Sequence, residues 1–217
     1  MTSLHLPTLT AVLRRLNALH KLPITYWERG ATAWRRMPHG YAHHEQQVYL
    51  GMGDHSWERA KQALRQWAMF PASWTAVHPK PTPEVDAQVL VSAKLLGLWW
   101  HNPARIVYTV DESDEFGFAY GTLPGHLAQG EERFSVERDA EGNVYYLLRV
   151  FSRPSFWGAK LLRAYMRMQQ VRFREDSAQA MLNFVRADGS QLESRHRAAD
   201  DFKMLVYDQD LHEPIAL

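Results

Sequence analysis

Between Ser73 and Ser152 the chain carries six apolar runs with strand-like alternation, and only short breakers separate most of them. The runs are SWTAVH, QVLVSAKLLGLWW, RIVYTVDE, FGFAYGTL, EERFSVER and NVYYLLRVFS. PKPTPEVD, HNP, SDE, LPGHLAQG and DAEGN stand between them as loop and turn segments. Connections this short force neighbouring strands to run antiparallel, because a parallel pair needs a long crossover. Pro154 stops the last run, and a proline-free helical segment follows from about Ser155 to Phe184, with Gly189 closing it.

Upstream, apolar residues at helical spacing predict an amphipathic helix from Thr8 to His20. An irregular segment rich in Gly, Pro and aromatic residues follows, LPITYWERGATAWRRMPHGY. HEQQVYLG, His44 to Gly51, reads as a strand. Asp54 or Ser56 is expected to cap a helix through WERAKQALRQWAMF, which Pro71 ends. The tail holds a candidate short strand at FKMLVYD. Three parts result: an N-terminal amphipathic helix (1–23), a main domain (24–185) and a C-terminal extension (186–217).

The predicted class is α+β: a curved antiparallel sheet wrapped around one long C-terminal helix, with an extra N-terminal helix. This element order is that of the helix-grip arrangement of the START and Bet v 1 type, by analogy. A sheet with one apolar face must cover it, and a long amphipathic helix does so. If the helix does not fill the concavity, a cavity remains; otherwise the same elements pack solid.

In EERFSVER, Glu132, Phe134 and Val136 share the core-facing side, while Glu131, Arg133, Ser135 and Glu137 share the side expected to meet solvent. Two accounts of Glu132 stand. Either it reaches water from a frayed strand end, or it is a cavity-rim carboxylate whose pKa burial would raise. On the long helix Leu161, Leu162, Tyr165, Met166, Met168 and Phe173 are expected to form the apolar arc, with Lys160, Arg163, Arg167 and Arg174 opposite. Gln169 and Arg172 fall inside the apolar arc. They are either members of a structural ion pair with Glu131 or Glu132, or polar anchors in an apolar pocket. Arg153, just before Pro154, is read as a brace, with an anion clamp as the alternative.

The net charge of +1 gives no reason to expect nucleic acid as a partner. The absence of cysteine excludes disulfides, thiolate metal sites and cysteine nucleophiles, and fits a cytoplasmic location. No apolar run is long enough for an integral membrane segment. No phosphate-loop, dinucleotide, zincin or nucleophile-elbow motif occurs. Adjacent His43 and His44 would point to opposite faces of a strand, and His126 with Glu131 or Glu132 supplies two ligands where a metal site normally needs three or more, so neither a metal nor a cofactor is expected. His126 and Glu132 are a candidate acid/base pair. Aromatic residues on the strands, Tyr108 and Tyr120 among them, suit either a packed core or a ligand pocket.

ITYWERGAT, PHGY, LGMGDHSWERAKQALRQW, FAYGTLPGHLAQGEERF, FSRP and RMQQ resemble the uncharacterised bacterial and plant family called domain of unknown function nineteen-ninety. The resemblance spans Ile24 to Phe184, roughly three quarters of the chain. Leu127 stands where that family usually has proline, and Phe173 where it usually has tyrosine. The resemblance implies no particular reaction. It marks Tyr120, Gly121, Thr122, His126, Glu131, Glu132, Arg153 and Gln169 as motif positions.

The expected function is binding of a small, largely apolar or amphipathic molecule between sheet and helix. Tyr108, Tyr120, Thr122, Glu131, Arg153, Gln169 and Arg172 are the candidate contacts. The alternatives are an enzyme using His126 and Glu132 in the same cavity, as cyclase, dehydratase or hydrolase, and a structural or interaction protein with a filled core.

Overall fold

The computed structural model describes residues 2–155 and 163–187. Eight strands among them form one antiparallel sheet: β1 (Thr2–Ser3), β2 (Ala42–Met52), β3 (Thr75–His78), β4 (Gln88–Leu95), β5 (Leu98–Asp111), β6 (Glu115–Thr122), β7 (Ala128–Arg138) and β8 (Asn143–Pro154). The order across the sheet is β2-β8-β7-β6-β5-β4-β3, and β1 pairs with β5. Three α-helices lie among the described residues: α1 (Leu9–Leu19), α2 (Gly53–Arg65) and α3 (Arg163–Arg186). The predicted class holds, with an antiparallel sheet, a long C-terminal helix and an N-terminal helix. The possible strand at FKMLVYD and the closing Gly189 lie outside the described residues.

Several boundaries differ from expectation, each for a local reason. QVLVSAKLLGLWW is not one strand. It turns at Leu96 and Gly97, both with positive φ, so that Leu95 pairs with Leu98 and HNP lies inside β5. Helix α2 has Met52 at its N-cap with no side-chain cap bond. Asp54 sits instead in the first turn, where its charge suits the helix N-terminus, and pairs with Arg138 at 2.7 Å. The helix ends before Pro71, in a Schellman turn: Ala68 N donates to Ala63 O at 2.9 Å and Trp67 N to Leu64 O at 3.0 Å. Trp67 takes the left-handed position that glycine usually holds, with φ of 59°. Its indole is fully buried and donates to Pro81 O at 2.9 Å.

Both faces of the sheet are covered, which corrects the expected solvent face of β7. On the inner face α2 and the second half of α3 pack over the strands. Trp57, Leu64, Met181, Leu182 and Val185 meet Phe118, Phe134, Val136, Tyr146 and Leu148 in one cluster. On the outer face α1 sets Val12 and Leu16 against Leu90 of β4. The irregular segment after α1 lies over β8, with Tyr26 and Ala31 against Phe151. Glu131, Arg133 and Ser135 are therefore buried.

Of the arc expected on α3, Leu161, Leu162, Tyr165 and Met166, and Lys160, Arg163 and Arg167 opposite them, lie outside the described side chains; Phe173 packs against the core as expected, and the rest is corrected. The buried stripe of its described part is Arg174, Ser177, Ala178, Met181, Leu182 and Val185, at three- and four-residue spacing. Met168 is exposed, and Arg174 is buried rather than solvated. The small residues Ser177 and Ala178 let the helix sit close to the sheet, whereas the earlier turns carry Gln169, Gln170 and Phe173 over a less filled part of the concavity.

Candidate functional site

The part of the concavity left unfilled by α2 is a recess of about 190 Å³ between the sheet and the described start of α3. Its apolar walls include Phe70, Trp74, Val91, Leu148, Val150 and Phe173. Its polar groups include His44, Asn102, Tyr120, Thr122, His126, Glu132, Gln169 and Arg174.

Strand alternation places most of these side chains. On β2 the buried positions His44, Gln46, Val48 and Leu50 face inward, which puts His44 in the recess. On β6 and β7, Tyr120 and Glu132 are paired across the ladder. The Tyr120 hydroxyl donates to Glu132 Oε2 in a short hydrogen bond. Burial pushes the Glu132 carboxyl up to about 7 against the bond from Tyr120, which favours its charge. The Tyr120 hydroxyl is raised well above its ordinary value, by burial first and by the Glu132 charge second.

His126 is delivered by a turn. Pro124 and Gly125 occupy its centre, Gly125 has φ of 92°, and His126 N donates to Leu123 O at 3.1 Å. The loop is tied down where Leu127 N donates to Asn102 Oδ1 at 3.2 Å and Ser155 Oγ donates to Leu127 O at 2.7 Å. Ala128 N donates to His126 Nδ1 at 3.0 Å, so the neutral ring carries its proton on Nε2. Burial holds His126 down to about 4, so the ring is neutral at ordinary pH. That contribution to stability is lost as pH falls from about 6.5 to about 4.

The two adjacent glutamates have divided roles. Glu131 borders the recess, but its carboxylate is occupied elsewhere. Oε2 accepts from Tyr26 Oη at 2.6 Å and Gly30 N at 2.8 Å, and Oε1 from Thr32 N at 2.9 Å and Thr32 Oγ1 at 2.5 Å. Arg149 braces the same segment by donating to Thr32 O at 2.7 Å and Trp34 O at 3.1 Å. Two glycines allow the close approach. A Cβ on Gly121 would collide with the Tyr26 ring. Gly130, with φ of 151°, lies so close to Phe151 O that a Cβ could not fit.

Of the residues expected from sequence, Tyr120, Thr122, His126, Glu132 and Gln169 come together around the recess. Four others are placed differently. Tyr108 lies under the outer segment, 2.7 Å from Thr32 Oγ1, because β5 shifts register between Ile106 and Tyr108. Glu131 serves that same segment. Arg153 is exposed over the Tyr41 ring at 4.7 Å and donates to Gln129 Oε1 at 3.1 Å, which makes it a brace. Arg172 is 49% exposed, lies over Trp74 at 4.5 Å and pairs with Asp176 at 3.4 Å. Neither Gln169 nor Arg172 is ion-paired to Glu131 or Glu132 among the described residues. His44, Asn102 and Arg174 were missed as lining residues. Alternation on β2 held the signal for His44. Nothing local marked Asn102, which was read as part of a breaker. Among the described residues no three His, Asp or Glu side chains gather as metal ligands. No helix among them is long and apolar enough to cross a membrane.

A model of the family described as Domain of unknown function (DUF1990) matches residues 25–180, and the chain belongs to that family. It is 35% identical over 155 residues to a UPF0548 protein of Arabidopsis thaliana, covering 68% of this chain and 75% of the relative. A UPF0548 protein of Dictyostelium discoideum is 38% identical over 162 residues, 69% of this chain and 74% of the relative. Among solved structures, the hypothetical protein jhp0584 from Helicobacter pylori superposes with a TM-score of 0.52 at 11% identity, over 76% of this chain and 96% of that one. Ara h 8.0201 gives 0.45 at 9% identity, over 69% and 100%. The family membership read from the sequence motifs is borne out.

Proposed function

We propose that this member of the DUF1990 family binds a small, largely apolar molecule in the recess between the sheet and α3. The observation that supports this reading is a concave, mostly apolar space of about 190 Å³ with a few convergent polar groups. Pockets for drug-sized ligands start at about 300 Å³, and an apolar cavity of about 150 Å³ is enough for benzene. The ligand is therefore of single-ring size. Native mass spectrometry of protein purified from its own host, before and after denaturation, tests the reading. A small molecule released on denaturation supports it. A clean mass together with no saturable binding of toluene opposes it.

Val150 lines the recess and is only partly buried against the core. Val150→Trp is expected to fill the space, weaken toluene binding at least about tenfold, and cost no more than about 1–3 kcal/mol in stability as overpacking. Titration followed by calorimetry, with a urea melt alongside, checks both numbers.

A second reading has one specific observation behind it. Glu132, poised near neutrality and bonded to Tyr120, has the protonation behaviour of a general acid or base. In that reading the bound molecule undergoes proton transfer at Glu132. Turnover that is lost in Glu132→Gln while binding persists would distinguish it from simple binding.

A further inference from the structure

Seven of the eleven large apolar side chains exposed among the described residues lie between Leu4 and Trp34, a concentration that singly scattered surface residues do not give. Leu4 and Leu6 precede the Thr8 cap of α1. Leu9 and Leu13 stand one turn apart on the helix, beside the Val12 and Leu16 stripe that meets β4. Leu22, Trp27 and Trp34 belong to the irregular segment after α1, and Trp27 is 95% exposed. Both pieces lie on the outer face of the sheet. Helix α1 therefore buries one apolar side against the protein and presents a second to its surroundings.

The same stretch is basic. Residues 1–41 carry Arg14, Arg15, Lys21, Arg29, Arg35 and Arg36 against Glu28 alone, a net +5, whereas the whole chain is +1. All of these cations except Arg15 are exposed. Arg29 meets Asp86 only at 3.7 Å, with both side chains open to solvent. The Glu28 carboxylate is taken by Tyr41 Oη at 2.8 Å and Trp27 N at 3.1 Å. The carboxylates of the sheet beneath have partners of their own. Glu115 pairs with Arg133 and Glu45 with Arg149, while Glu131 is held by Tyr26, Gly30 and Thr32.

A surface that is apolar and basic at once chooses between partners. A nucleic acid is gripped through its phosphates and by base stacking, and exposed leucines serve neither. A protein partner needs a matching shape for each apolar chain. The surface of an anionic bilayer accepts leucine and tryptophan to the depth of the headgroup boundary, takes lysine and arginine at its phosphates, and imposes no fixed shape. No helix among the described residues can cross a membrane, so such contact is peripheral.

We propose that the outer face, formed by α1 and the segment from Leu22 to Tyr41, docks on the surface of an anionic lipid bilayer, with Leu9, Leu13 and Trp27 entering the headgroup boundary. This proposal is independent of the recess.

Cosedimentation of the full chain with lipid vesicles tests it. The partition coefficient is expected to be at least about tenfold higher for vesicles with about one-third phosphatidylglycerol than for phosphatidylcholine alone. Most of that gain should vanish in about 0.5 M salt. The double variant Leu9→Gln, Leu13→Gln should partition about tenfold more weakly and melt as wild type does, since both leucines are exposed. Met168→Gln, at an exposed apolar residue of α3, should bind as wild type does. If the double variant melts early, amide exchange of the wild-type protein supplies the test. With anionic vesicles it should slow in α1 and at Trp27 and stay fixed in α2. No sedimentation with anionic vesicles, equal binding to both vesicle types, or exchange that ignores the vesicles overturns the proposal. So does a well-folded double variant that binds as wild type, or one matched in its loss by Met168→Gln. A dimer in solution that the double variant dissolves, with no vesicle binding, overturns it in favour of a second copy of this chain.

Discussion

Replacing Glu131 by alanine is expected to destabilise the protein by about 3–5 kcal/mol, the largest single-residue effect in this account. The carboxylate is 2% exposed and takes four hydrogen bonds, from Tyr26, Gly30 and twice from Thr32. Alanine leaves those donors buried with no acceptor. A buried donor left unmatched costs about 1–3 kcal/mol, and partial relaxation keeps the sum below the maximum. Urea unfolding measures the loss. Amide hydrogen exchange gives the location: protection should fall at Gly30 and Thr32 and stay at Phe118 and Phe134, which lie in the inner cluster. A loss under about 1 kcal/mol would mean that this carboxylate does not hold the outer segment to the sheet.

Glu132→Gln is expected to act in the opposite direction. The folded carboxyl titrates near 7 against 4.5 for an ordinary glutamate. The folded state therefore binds this proton more tightly than the unfolded state. Stability from this group is complete below 4.5 and is lost as pH rises from 4.5 to about 7. Glutamine cannot ionise, and its carbonyl can still accept from Tyr120. The variant should thus be more stable than wild type by about 2–3 kcal/mol near pH 8 and about equal to it near pH 4. Paired urea melts across that range check the crossover. A variant that is less stable at every pH would show that the ionised carboxylate is well satisfied in the fold. The two neighbours on β7 thus give opposite results, because one carboxylate is fully bonded on the outer face and the other sits in an apolar recess.

The strands from Thr75 to Pro154 were legible because alternation and short breakers act locally. So was the start of α1 near Thr8, whose side chain caps the helix by accepting from Ala11 N. What the sequence hid was tertiary. Leu96 in a left-handed turn and Trp67 at a helix end carry none of the glycine signal that such positions usually give. The outer segment over β7 has no periodicity, so its burial of Glu131 and Arg133 could not be read from alternation, which tells sides apart and not which side meets water. For α3 the apolar count stopped at Phe173, while the packing stripe runs through Ser177 and Ala178, residues too small to look like core. Glu132 was legible as the charged residue on the core-facing side of its strand. Its partner was legible only once register placed Tyr120 opposite it.

We propose that a molecule of single-ring size binds in the recess. Methyl-labelled protein titrated with toluene and followed by NMR tests it most directly. Saturable shifts are expected at Val91, Leu95, Leu148 and Val150, which line the recess, and none at Val12, Leu16 and Leu90 on the outer face. Spectra that stay fixed, or shifts spread evenly over both faces, would contradict it.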